Sequence, residues 1–332
     1  MCKESNKKKM LAVPILLITF NRPEHTRKVL EAILSIQPQE LYVFQDGSRK
    51  GNNRDAERCD AVRQVVDELT RNSQVCLHKY FSKENLGCGP GPMTALNWFF
   101  SENEMGIVLE DDAVPHPDFF PYCEELLSKY KDDESVCAIG SMNVDTQRWG
   151  DGSYYFSMMN RNLCAWATWS RAWERFDLRL FGVSRNKLRK ALRHYGCGLL
   201  ECEYWCDRLD EIHKDGCKGN SWDMQFIMSI WLNAGKGIIP SVNLSSNIGT
   251  VGDGTHRMRE GNMIDNIPTS PIMPLKHPTT TRIISDADRM FFYRYFEPSK
   301  YGWGIGKTLY YLINKRLKRL VGHTGPWITK KK

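Results

Sequence analysis

The sequence predicts an α/β protein: a mostly parallel central sheet flanked by helices on both faces, in one large domain. Two observations predict it. Strand-like and helix-like patterns alternate through the first 140 residues, and polar residues cluster directly after each strand-like run. The composition agrees with a sizeable core, since the 332 residues are 41% hydrophobic and 26% charged.

The first strand is "VPILLITF". It imitates the apolar part of a signal peptide, but it contains Pro14 and runs into Asn21, Arg22 and Glu24 without a small-residue cleavage site. A helix over "PEHTRKVLEAILSI" follows, with Pro23 in its first turn and Val29, Leu30, Ile33 and Ile36 at helical spacing. The strand "LYVFQ" ends in a "DGS" loop, then come a helix over "RDAERCDAVRQVVDEL" and the strand "VCLHKYF". After a Gly-rich loop, a helix around "MTALNWFF" leads to the strand "GIVLE". Beyond residue 140 the rhythm loosens, and helices are expected near 170–176, 187–194, 201–214 and 222–233. Residues 242–280, rich in Gly, Asn, Thr and Pro, read as a long loop of the kind that forms lids. The division expected is 11–140 for the first half of the domain, 141–300 for the second, and 301–332 for a basic amphipathic tail.

In an open α/β sheet, ligands bind beyond the carboxyl ends of the strands. Phe20, Asn21 and Arg22 follow the first strand, Asp46 the second, and Asn85 and Gly87 the third. Glu110, Asp111 and Asp112 close the fourth. Adjacent carboxylates repel and resist desolvation, so three acids after "GIVL" need a positive partner. On an extended segment Glu110 and Asp112 point one way and Asp111 the other. A hard divalent cation, Mn²⁺ or Mg²⁺, suits such a pair and keeps positions open for phosphate oxygens. The bland reading is that the acids cap the helix beginning near Pro117, but Asp118 lies closer to that start. The metal reading requires that the acids face a cleft and are not consumed by neighbouring arginines.

The segments "PILLITFNRPEHTRKVLEAI", "QDGS", "NLGCG", "IVLEDD", "CAWATWSRAWERF" and "SWDMQF" together resemble the GT-A class of nucleotide-sugar glycosyltransferases, with its Rossmann-like sheet. More narrowly, the chain is similar to the inverting, metal-dependent group related to N-acetylglucosaminyltransferase I and to bacterial polysaccharide-building transferases. The likeness covers most of residues 11–258. It implies that Phe20, Arg22 and Asp46 hold the base and ribose of a donor, a UDP-sugar in this reading, while Asn85 and Gly87 lie beside its sugar and diphosphate. It also implies that Glu110, Asp111 and Asp112 form the D-x-D-type motif, with Asp112 the direct metal ligand and the other two reaching ribose, sugar hydroxyls or metal-bound water. The motif here reads E-D-D, which leaves open which oxygen touches the ion.

By the same resemblance Asp223 is the general base that takes a proton from the acceptor hydroxyl; the plain alternative is a cap on the helix "MQFIMSIWL". His256, in the Gly-rich loop "NIGTVGDGTH", is a candidate metal ligand, and Arg257 a candidate partner of the leaving diphosphate. Trp166, Trp169 and Trp173 fall at helix-like spacing, for which core packing is the commoner explanation. Trp166 and Trp222 are nevertheless the candidates for acceptor contacts, because indole faces stack on sugar rings. The expected acceptor is a glycan or lipid-linked sugar.

Other features are weaker. The formal charge, 46 − 39 = +7, is too mild to choose among phosphates, nucleic acid and an anionic membrane. Nucleic acid is not expected, since basic residues interleave with aromatics only in the tail. Eleven scattered cysteines read as reduced thiols of a cytoplasmic protein. The group His194, Cys197, Cys202, Cys206, His213 and Cys217 lacks paired C-x-x-C knuckles, and buried thiols explain it better than zinc. "GCGPGP" at 87–92 is not a dinucleotide fingerprint, and "YGWGIGKT" at 301–308 lacks the first glycine of a Walker A loop. The tail "KTLYYLINKRLKRLV" suits peripheral contact with the inner face of a membrane or packing on the catalytic domain. Two competing functions stand: sugar-1-phosphate nucleotidyl transfer, which would show a Gly-rich loop where this chain has "TFNRPEH", and a non-catalytic carbohydrate-binding protein, which would leave the acids unexplained.

Overall fold

The computed structural model describes residues 10–145, 147–159, 164–215, 222–249, 266–296, 309 and 313. The first half alternates as its pattern predicts. Strand β1 (Ile15–Thr19) leads to helix α1 (Pro23–Ser35), β2 (Glu40–Gln45) to α2 (Asn53–Thr70), and β3 (Cys76–Phe81) to α3 (Pro90–Glu102), which is followed by β4 (Met105–Glu110). A short strand, β5 (Ala113–Pro115), then precedes α4 (Phe119–Lys129) and β6 (Val136–Gly140). The second half runs β7 (Tyr154–Ser157), β8 (Ala165–Trp169), α5 (Ser170–Trp173), α6 (Arg185–His194), α7 (Leu199–Asp215), α8 (Asp223–Leu232), β9 (Lys236–Pro240), β10 (Ser245–Asn247) and α9 (Ser285–Tyr295).

Eight strands form one sheet in the order β3-β2-β1-β4-β8-β6-β9-β7, and β10 pairs with β5 in a separate ribbon. Six of the eight run parallel; β8 and β7 are antiparallel to their neighbours. All five residues of β1 are buried, as a central strand covered on both faces demands. Its side chains alternate between two cores: Ile15 and Leu17 face α1 and α4, while Leu16 and Ile18 face α3, α5 and α8. Pro23 and Pro90 open α1 and α3, where a missing N–H costs nothing. A third core gathers α6, α7 and α9 around Trp205 and Trp231.

Three expectations need correction. Trp166 and Trp169 do not share a helix: both lie on β8, where their odd separation puts them in opposite cores, and only Trp173 is helical. Residues 242–249 are not loop throughout, because β10 pairs with β5. Asp118 sits at the N-cap of α4 without capping it through its side chain; its Oδ2 instead accepts from the backbone N–H groups of Ile272 and Met273 at 2.8 and 3.1 Å. Cys202 and Cys206 are buried in the third core, where burial pushes both thiols up, and no metal-capable group among the described residues includes them. Cys217, His256, Arg257 and nearly all of the tail lie outside the described residues. No described helix is long and apolar enough to cross a membrane.

Candidate functional site

The strand register brings the predicted residues to one edge. Thr19 pairs with Gln45, Gln45 with Phe81, and Ile18 with Glu110, so the four parallel strands end at one level. The residues that follow them therefore line one edge, in two groups: Asp46 with Asn85 and Gly87, and Arg22 with Asp111 and Asp112.

Asp46 is a latch between two of these loops. Its carboxylate accepts from the N–H groups of Gly47, Leu86 and Gly87 at 2.8–2.9 Å and from Asn85 Nδ2 at 3.0 Å. Burial pushes its pKa up despite those three N–H donors. Gly47 is required here, because a Cβ would lie 2.6 Å from the Glu84 backbone. Asp46, Asn85 and Gly87 are thus brought together as expected, with much of their hydrogen-bonding capacity spent on one another. Phe20 is half-buried under the Arg49 guanidinium, 5.7 Å from the ring centroid. Arg49 and Asn21 both bond to the buried Asp55, a network the sequence did not announce.

The positive partner of the acids is, in the first place, Arg22. Its guanidinium bridges Asp111, in a very short contact, and Asp112 Oδ2 at 3.1 Å. The chain itself thus supplies a cation to the cluster, and the condition set for the metal reading is met only in part: Asp111 and Asp112 Oδ2 are tied to Arg22, which leaves Glu110 and Asp112 Oδ1 outside that salt link. Burial works against the Arg22 charge, but the fields of Asp111 and Asp112 outweigh it and raise its pKa.

Among the described residues, Asp112, Asp111 and Asp223 act on the Glu110 charge with one sign and Arg22 with the other. Burial pushes the Glu110 carboxyl up to about 8, with Asp112, Asp111 and Asp223 adding to the rise and Arg22 opposing it. Burial likewise moves Asp111 up to about 6, against the pull of Arg22 and the Phe20 N–H. Asp112 Oδ1 is buried without a hydrogen-bond partner among the described residues, which is expensive for a carboxylate oxygen.

Glu110, Asp112 and Cys164 each place a ligand atom within 4.8 Å of the others. Two carboxylates with one oxygen unpartnered fit a divalent cation, so these residues could hold one. Cys164, at the entry to β8, was missed because its approach depends on β8 running antiparallel beside β4; the Glu110 N–H donates to its carbonyl at 2.7 Å. Burial and the neighbouring acids hold its thiol well above the ordinary range. A second approach was also missed. A Cβ on Gly249 would fall 2.0 Å from Asp112 Oδ2, so the strand leaving β10 passes against the acid only because residue 249 is glycine. The Ile248 N–H donates to the Asp112 carbonyl at 2.9 Å, fixing that approach.

Asp223 is the exposed first residue of α8, close enough for its charge to act on Glu110. Trp166 and Trp222 do not present faces to an acceptor. Trp166 is fully buried and Trp222 nearly so, packed against each other and Phe226 with centroids 5.2–6.2 Å apart. Their role is core packing, because β8 is an interior strand and α8 covers it.

No protein-family model matches the chain. Several solved structures are similar over part of its length. The 4-diphosphocytidyl-2C-methyl-D-erythritol synthase of Anaerococcus prevotii is 8% identical, with a TM-score of 0.31 over 49% of this chain and 74% of that one. UDP-glucose pyrophosphorylase complexed with UDP-glucose is 12% identical, with a TM-score of 0.30 over 49% and 78%. An apo UDP-glucose pyrophosphorylase is 10% identical, with a TM-score of 0.35 over 70% and 93%. Likenesses this weak carry no argument about activity.

Proposed function

We propose that this protein is a metal-dependent glycosyltransferase that takes a sugar from a nucleoside diphosphate and passes it, with inversion, to a hydroxyl of a glycan or lipid-linked acceptor. One observation carries the reading: a buried Asp112 oxygen with no partner among the described residues, beside a Glu110 whose pKa is raised first by burial and then by like charge, at the carboxyl edge of a mostly parallel sheet. Asp112 and Glu110 would hold a Mn²⁺ or Mg²⁺ ion, whose charge would offset that developing on the diphosphate. Arg22 fixes Asp111 and Oδ2 of Asp112, and Asp112 Oδ1 has no partner among the described residues. Asp223, exposed at the start of α8, takes the acceptor's proton as that oxygen attacks the anomeric carbon and the bond to the diphosphate breaks. In this reading Asp46, Asn85 and Gly87 shape the wall on which the donor lies, and Phe20 lies beside its base.

Sugar-1-phosphate nucleotidyl transfer is the second reading, since that chemistry also needs a divalent cation held by acids at the carboxyl edge of such a sheet. Against it stands the β1–α1 connection: residues 20–22 contain no glycine, and the Arg22 guanidinium is committed to carboxylates. The carbohydrate-binding alternative loses its support with the burial of Trp166 and Trp222. The test is a panel of nucleotide sugars, and of nucleoside triphosphates with sugar 1-phosphates, with and without Mn²⁺. Metal-dependent hydrolysis of a nucleotide sugar supports the proposal; pyrophosphate release from a triphosphate with a sugar 1-phosphate supports the second reading; turnover of neither set removes both.

A further inference from the structure

The helix α6, "RNKLRKALRH", carries five Lys and Arg residues and no acid. Two of the five have structural work. Arg185 binds Asp207, Asp210 and Glu203 of α7, and Arg189 binds Glu203, so these arginines clamp α6 to α7. The other three, Lys187, Lys190 and Arg193, recur every third residue on the solvent side, opposite the buried Leu188 and Leu192. No described carboxylate pairs with them.

Helix stability does not explain this stripe. Arg193 suits the last turn, but Lys187 lies in the first, where the helix dipole disfavours a cation. The segments at either end of α6 add a second, independent feature. Phe181, before the helix, is 72% exposed and Leu199, after it, 63% exposed; they are the two most exposed large apolar side chains among the described residues. Arg179 lies over the Phe181 ring, 5.4 Å from its centroid, while the Asp177 carboxylate accepts from the backbone N–H groups of Arg179 and Phe181, so this end of the surface carries charge of both signs.

We propose that the solvent face of α6 is a docking surface for an anionic phospholipid bilayer, with Lys187, Lys190 and Arg193 meeting lipid phosphates and Phe181 and Leu199 entering the interface. Cations in a row attract any polyanion, but an exposed leucine at one end and a phenylalanine at the other have no counterpart on a phosphodiester backbone and do have one in acyl chains. The surface is separate from the tail considered from sequence. It also stands independently of the reaction proposed above, although α6 packs against α8, the helix that begins with Asp223. Docking through this face would hold that lobe against lipid.

The experiment is co-sedimentation of the full chain with phosphatidylcholine vesicles with or without phosphatidylglycerol. Wild type is expected to sediment only with the anionic vesicles, and less as salt rises. The triple variant Lys187→Glu/Lys190→Glu/Arg193→Glu is expected to lose about a hundredfold in partitioning, about fivefold or more per residue. Phe181→Ser/Leu199→Ser is expected to lose about tenfold. All five side chains are solvent-exposed, so unchanged melting curves will show that each variant is folded. Absence of wild-type binding overturns the proposal, as does undiminished binding by the triple variant. Binding of a duplex oligonucleotide through these residues, without vesicle binding, overturns the lipid assignment.

Discussion

Replacing Arg22 with methionine keeps a stem of similar length and removes the guanidinium that spans Asp111 and Asp112. Removing one member of a buried ion pair costs about 3–5 kcal/mol, mostly because the partner is left charged and unpaired. Asp111 is 3% exposed but Arg22 is 20% exposed, so the expected loss lies at the lower end, about 3 kcal/mol. The pH dependence has a definite sign. Glu110 and Asp111 hold pKa values raised to about 8 and about 6 in the folded protein, above the ordinary 4.5 and 3.8. Their contribution to stability is therefore full below those ordinary values and is lost as pH rises through the folded ones. Without Arg22 the repulsion grows, so the variant's deficit widens as pH rises. Urea unfolding of both proteins at several pH values, with and without Mn²⁺, measures this. Mn²⁺ is expected to recover part of the loss in Arg22→Met and none of it in Arg22→Met/Asp112→Ala. A deficit under about 1 kcal/mol at every pH, the worth of an exposed pair, would refute the reasoning.

Asp223→Asn should retain nucleotide-sugar affinity while losing transfer by at least about a hundredfold; normal turnover would remove it as the base. Gly249→Ala places a methyl 2.0 Å from Asp112 Oδ2, so it should destabilise the fold by about 1–3 kcal/mol and weaken Mn²⁺ binding measured by titration calorimetry. Trp166→Ala should cost about 3–5 kcal/mol of stability, because the indole is fully buried, whereas Trp166→Phe should cost much less, since the indole N–H has no partner among the described residues. A Trp166→Ala protein of normal melting temperature would contradict the packing role.

The first half of the fold was legible because β1, β2 and β4 are local, apolar runs closed by polar residues, and α1 and α3 open on prolines. "VPILLITF", "LYVFQ", "VCLHKYF" and "GIVLE" all became strands in one register, and their ends predicted the edge that carries the Asp46–Asn85 latch and, beside it, the acids bound by Arg22. The second half was less legible for the opposite reason. β8 is buried on both faces and shows no alternation, so Trp166 and Trp169 mimicked helical spacing. β10 is three residues long and exists only through β5. The Arg22 bridge joins residues 89 and 90 positions apart, and nothing local marks an arginine as the partner of a distant acid. Cys164 and Gly249 reached the site by the same kind of long-range placement.

The most direct test is calorimetric titration of a UDP-sugar into wild-type protein and Asp112→Asn, each with Mn²⁺ and with a chelator. The predicted result is binding by wild type only with metal and none by the variant. Equal affinity in chelator, or an Asp112→Asn protein that binds as wild type does, would contradict the claim that the acids closing β4 hold an ion for a diphosphate.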